Sequence, residues 1–135
     1  MMIQQLSVFM ENRAGTLSAV LDVLKQAGIQ LHALSIADTA DYGICRMICD
    51  TPEKARQALL EHGVPAALSD VCAVELANTP GALADMVSLF TKAGLSIAYL
   101  YTFLLKDKPI MVFRTDDAAK AKGILESGGL CCFKW

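Results

Sequence analysis

The sequence repeats. Sliding the 135-residue chain against itself by 66 positions brings Val8 onto Val74, Asn12 onto Asn78, Gly15 onto Gly81 and Leu17 onto Leu83. The same shift brings Ala27, Gly28 and Leu34 onto Ala93, Gly94 and Leu100. Between these identities the apolar pattern agrees: Val20, Leu21 and Leu24 fall on Met86, Val87 and Phe90, and Ile29 on Leu95. A one-residue change of offset then aligns Leu59-Leu60-Glu61 with Ile124-Leu125-Glu126, and Gly63 with Gly128. A repeat of this length is one structural unit used twice, so a fold assigned to either half must suit both. The domains expected are residues 1–69 and 70–135, joined near Ser69-Asp70.

The order of elements follows from periodicity. Residues 3–10 alternate with β-branched and aromatic members, as a strand does. After Glu11–Gly15, the residues Leu17, Val20, Leu21 and Leu24 recur at helical spacing, and Gly28 stops the helix. Strands are expected over 29–37 and 44–49, with a turn at 38–43 between them. Thr51-Pro52-Glu53 predicts a helix start with Thr51 as its cap, and Gly63 ends that helix before a short strand over 64–69. The second copy predicts strands over 71–77, 95–105, 110–115 and 130–133. A helix follows the turn at 78–81, another is expected over 116–127, and a hairpin turn falls at 106–109. Each half is βαββαβ, so the fold class is α+β: two tandem ferredoxin-like units with antiparallel sheets and helices on one face, paired through their sheets.

Composition narrows the function. Apolar residues make up 54% of the chain and charged residues 19%, which predicts a packed core and no disorder. So large an apolar share in so short a chain, with both alternating sets apolar over 97–104, predicts a homo-oligomer. Net charge is −2 with twelve scattered Lys and Arg, so no phosphate backbone is a partner. Tyr99, Tyr101 and Phe103 alternate on one strand but lack the basic stripe of an RNA-binding sheet, and read as a packing face. Met1–Gln5 has no secretory character and no apolar run reaches the ~18 residues of a membrane span, which predicts a cytoplasmic protein with no membrane partner. The cysteines Cys45, Cys49, Cys72, Cys131 and Cys132 are odd in number and do not follow a zinc-ligand spacing. They read as small buried side chains, with no metal and no cofactor expected. His32 and His62 have no nucleophile at a motif spacing, and no GxGxxG, GxxxxGK[ST] or HExxH occurs, so no catalytic residue is nominated and the protein is not expected to be an enzyme.

The loop after the first strand of each copy carries the chemistry. A helix starting directly after a strand leaves first-turn N–H groups without intrahelical partners. The helix dipole adds partial positive charge, and a glycine lets a ligand approach, which together suit a carboxylate. Asn12 and Asn78 offer donor and acceptor for an α-amino or α-carboxyl group. Equally, each Asn could serve only as a helix cap and each Gly only as a turn residue.

Asn12–Leu17 (N-R-A-G-T-L) with Ala27–Ile29, and Asn78–Leu83 (N-T-P-G-A-L) with Ala93–Leu95, in this element order, resemble the ACT domain across nearly the whole chain. The resemblance implies a non-catalytic regulatory module that binds a small effector, an amino acid, at these loops and at ACT–ACT interfaces. It implies a partner metabolic enzyme, with a ligand-free structural or protein-interaction module as the alternative. The site residues it implies are Asn12, Ala14, Gly15, Thr16 and Leu17 in the first copy, and Asn78, Pro80, Gly81, Ala82 and Leu83 in the second. The sequence departs from the serine-binding version of the motif, H-x-N-R-P-G. Met10 and Leu76 stand at the His position, and Ala14 stands at the first Pro. Serine specificity therefore does not carry over, and apolar neighbours favour a less polar ligand.

Overall fold

The computed structural model describes residues 2–38, 42–130 and 133. Six strands and four helices follow in the order β1 (Met2–Glu11), α1 (Thr16–Gln26), β2 (Leu31–Asp38), β3 (Tyr42–Cys49), α2 (Pro52–Glu61), β4 (Ala66–Glu75), α3 (Ala82–Lys92), β5 (Ile97–Leu105), β6 (Lys108–Thr115) and α4 (Ala118–Ser127). The fold is α+β, the βαββαβ order used twice. The chain divides into two compact units, one of Gln4–Asp70 and one of Val71–Trp135 together with Met1–Ile3. The middle of the turn expected at 38–43 and the centre of the strand expected at 130–133 lie outside the described residues; Phe133 donates its N–H to the Ala73 carbonyl at 3.0 Å.

In the Gln4–Asp70 unit, β3 lies between β2 and β1, antiparallel to both, with Val8 and Ile36 each opposite Cys45. Leu6 and Val8 of β1 and Cys45 and Met47 of β3 turn the same way, because alternate strand residues share a face. They pack with Val20 and Leu24 of α1 and Ala55 and Leu59 of α2. In the Val71–Trp135 unit, β6 lies between β4 and β5. Its core is Cys72, Val74, Met111 and Phe113 from the strands, with Met86, Phe90, Ala121 and Leu125 from the helices. Phe90 and Phe113 meet with ring centroids 5.2 Å apart, a tilted pair adding about 0.5–1.5 kcal/mol beyond burial.

Every one of these core positions corresponds under the 66-residue shift, including Ala55 with Ala121 and Leu59 with Leu125. The one-residue change of offset expected near the end of each copy is therefore corrected. All four helices end in the same left-handed glycine motif, at Gly28, Gly63, Gly94 and Gly129, so Gly63 corresponds to Gly129 and not to Gly128. In each, the residue after the glycine donates back into the last turn, as Val64 does to Leu59 and Leu130 to Leu125. The similarity of Leu-Leu-Glu and Ile-Leu-Glu is a coincidence of letters; burial sets the register.

Two further expectations change. The strands expected at 64–69 and 71–77 are one strand, β4, because nothing at Ser69-Asp70 breaks the extended backbone. Thr51 occupies the cap position of α2 but makes no capping bond, and its hydroxyl donates instead to Asp50 Oδ1 at 3.1 Å. Desolvation opposes ionisation of Asp50, yet bonds from the Gln30 N–H and from Thr51 outweigh it and hold the carboxyl below its ordinary value. Among the described residues, β5 is not covered on both faces. Tyr99, Tyr101 and Phe103 are half-buried, whereas Leu100 and Leu104 are exposed. Leu100 lies opposite Phe113 and so on the core face, but β5 is an edge strand and neither leucine joins the core.

Candidate functional site

Both helices that follow the first strand of a copy begin at a glycine in the left-handed region. Gly15 has φ 90° and Gly81 φ 85°, and a glycine, with no side chain to cap, occupies the N-cap position of both α1 and α3. Asn12 and Asn78 do not hold the cap position itself; each lies three residues upstream of it. A Cβ added at Gly15 or Gly81 would meet nothing within 4 Å, so backbone conformation demands the glycine, and the space over the loop is open. Thr16 N–H and Ala82 N–H bond back to the Arg13 and Thr79 carbonyls, while Ala19 and Asp85 make the first intrahelical bonds, to Gly15 and Gly81. The second and third helical N–H groups, of Leu17 and Ser18 and of Leu83 and Ala84, are the donors without intrahelical partners that an anion would use.

The two loops differ in their side chains. In the first, Thr16 Oγ1 lies 2.8 Å from the Glu11 carbonyl and 2.9 Å from that of Arg13, and Arg13 pairs with Glu11 at 2.8 Å. In the second, the corresponding residues are Ala82, Ala77 and Thr79, which can make neither the hydroxyl tether nor the ion pair. Asp85, in the first turn of α3, stands where α1 has Ala19.

A pocket of about 340 Å³ opens beside the second loop, lined by Leu76, Ala77, Thr79, Ala82, Asp85, Met86, Leu89, Gly128 and Leu130. The end of α4 forms one wall. In the Gln4–Asp70 unit the same positions are Met10, Glu11, Arg13, Thr16, Ala19, Val20, Val23, His62 and Val64. A broader depression of about 570 Å³ in that unit lies at the far end of α1, around Leu21, Lys25 and Gly28, and touches none of the expected site residues. Of the residues expected in the second loop, Ala82 lines the pocket, whereas Asn78, Pro80, Gly81 and Leu83 are exposed beside it. In the first loop Asn12, Ala14 and Gly15 are exposed; Thr16 and Leu17 are half-buried, and Leu17 packs against the core. Sequence reasoning missed Thr79, Asp85 and Gly128. The signal for all three lay in positions where the two copies disagree.

Other titratable groups do not converge. Burial pushes the Cys45 and Cys49 thiols up to about 11, which leaves them protonated and weakly nucleophilic near neutral pH. His62 ends α2 with Nδ1 2.9 Å from the Ala58 carbonyl, and His32 sits half-buried on β2. Among the described residues no group of three His, Cys, Asp or Glu could hold a metal ion, and no helix is long and apolar enough to cross a membrane.

The ACT domain pair, as a family, matches residues 1–130. Among solved structures, a protein from Bacteroides thetaiotaomicron is similar with a TM-score of 0.91 at 34% identity, over 98% of this chain and 92% of that one. The ligand-free regulatory subunit of aspartate kinase from Thermus thermophilus is similar in fold, with a TM-score of 0.64 at 20% identity over 93% of this chain and 90% of that one. The corresponding subunit from Thermus flavus gives 0.60 at 20% identity, over 92% and 88%. No curated protein matches the chain.

Proposed function

Because the chain belongs to the ACT domain-pair family, we propose that it is a non-catalytic regulatory module that binds a small effector, an amino acid, and conveys its presence to a partner metabolic enzyme in the cytoplasm. ACT domain 1 comprises residues 1–69 and ACT domain 2 residues 70–135. The observation that carries this reading is the glycine-led start of α3 beside a pocket of about 340 Å³, within the size range of small-molecule sites. A ligand carboxylate meets the free N–H groups of the first helical turn, and Asn78 supplies a further polar contact. The likeness to aspartate kinase regulatory subunits supports the partner class by analogy of fold. Exposed Leu34, Ile36, Leu100 and Leu104 on the edge strands β2 and β5 support association with further copies.

One observation favours the interaction-module alternative for the first domain: Thr16 and the Glu11–Arg13 pair tie that loop to itself. Thermal-shift measurements of the full chain against the standard amino acids test the proposal. At least one is expected to raise the melting temperature, and Asn78→Ala is expected to weaken its binding by about 1–3 kcal/mol. If no amino acid shifts the melt, the interaction-module reading replaces this one.

A further inference from the structure

We infer that the effector site is confined to the second domain and selects an α-amino acid with an uncharged apolar side chain, whose ammonium pairs with Asp85 and whose side chain lies against Leu76, Met86 and Leu89. The inference rests on the amino-acid-binding reading and narrows it. Among the described residues, Asp85 is the one charged group lining the pocket, and no basic side chain lines it. A group of positive charge is therefore needed to match Asp85, and a second carboxylate on the ligand would find only repulsion there. The rest of the lining is dominated by Leu76, Met86 and Leu89, which suit an aliphatic side chain.

Gly128 is the less obvious determinant. Its φ of −81° is ordinary for any residue, so the backbone does not require glycine at this position. A Cβ there would come within 2.8 Å of Leu89 Cδ1, and both residues line the pocket. The missing side chain therefore lets Leu89 of α3 pack closely against the end of α4, and the two residues together form that wall of the pocket. The corresponding residue of the first domain is His62, and that domain also has Ala19 in place of Asp85 and a paired Glu11 and Arg13 in place of Ala77 and Thr79. The first domain thus has a bulky imidazole where the second has glycine against Leu89, and has no acid at the matching position of its helix.

Calorimetry on the full chain tests this with leucine, valine and methionine as probes, against aspartate and against 4-methylpentanoate, which is leucine without its ammonium. Binding of one apolar amino acid per chain is expected, with aspartate and 4-methylpentanoate weaker by about tenfold or more. Asp85→Asn should weaken binding about tenfold, and Gly128→Ala, whose Cβ forces Leu89 Cδ1 to move, should weaken it as well; cooperative melting of the ligand-free variants verifies that both fold. Two ligands per chain, tighter binding of aspartate or of 4-methylpentanoate, or undiminished binding by Asp85→Asn overturns the inference while leaving the amino-acid reading intact. Failure of every standard amino acid to bind overturns both.

Discussion

At the start of α1, the Thr16 hydroxyl reaches back to two carbonyls of its own loop; at the start of α3 the same position is Ala82, and the loop faces a pocket. The glycines that open the two helices differ by only a few degrees in φ, and most core positions beneath them correspond. Duplication thus preserved the backbone device and the packing that holds it, while the side chains around it diverged. A loop that satisfies its own polar groups has less to gain from a ligand than one that leaves them open. The comparison separates what the fold requires, which both copies keep, from what the proposed site requires: a pocket beside the loop with Asp85 and Leu89 in its lining.

The largest effect expected from breaking the comparison comes at the glycines themselves. Gly15→Val and Gly81→Val each force a β-branched residue into the left-handed region, and each should lower stability by about 2 kcal/mol or more. The added side chain meets no neighbour in either loop, so the two losses should be similar when measured by urea denaturation. Binding should separate them: Gly81→Val abolishes amino-acid binding, and Gly15→Val, once folded, leaves it intact. Equal loss of binding in both variants would show that the two loops act as one site.

A smaller effect concerns the second helix of each copy. Asp117 caps α4 by accepting from the Lys120 N–H at 3.0 Å, whereas Thr51 makes no such bond at α2. Asp117→Ala should therefore cost about 1 kcal/mol, and Thr51→Ala less than about 0.5 kcal/mol. Thermal or urea melting of the two variants measures the difference. Equal losses would mean that the Thr51 hydroxyl stabilises α2 through Asp50 as effectively as a cap does.

How much of this was legible beforehand follows the same division. Core positions such as Leu6, Val20, Leu24, Val74, Met86 and Phe90 were visible because burial imposes a period, and the repeat showed that period twice. Gly15 and Gly81 were visible because few residues other than glycine enter a helix through positive φ. The register of α4 was misread because local letter similarity outweighed the spacing of Ala121 and Leu125, whose burial only the packed unit reveals. The continuity of β4 was hidden by the expectation that a domain junction needs a turn. Asp85 and Gly128 escaped for a different reason. They are distant in sequence and meet only because α4 ends beside α3, so neither stands out until the two copies are compared where they differ.

The smallest effect expected is at the ion pair that distinguishes the first loop. Arg13 Nε and Glu11 Oε2 are 2.8 Å apart, yet the two side chains are 72% and 59% exposed. Water screens such a pair, and fixing two long side chains opposes its attraction, so its net contribution is small. The Thr16 hydroxyl is better placed to hold the loop, although its single proton is shared between the Glu11 and Arg13 carbonyls. Replacing Arg13 by Ala should therefore change stability by less than about 0.5 kcal/mol, and added salt should bring variant and parent closer still. Urea denaturation at low and high ionic strength measures both quantities. A loss above about 1 kcal/mol that vanishes in salt would mean that the pair, and not Thr16, keeps the first loop closed, and that the two loops differ by one charge interaction more than by their hydrogen bonds.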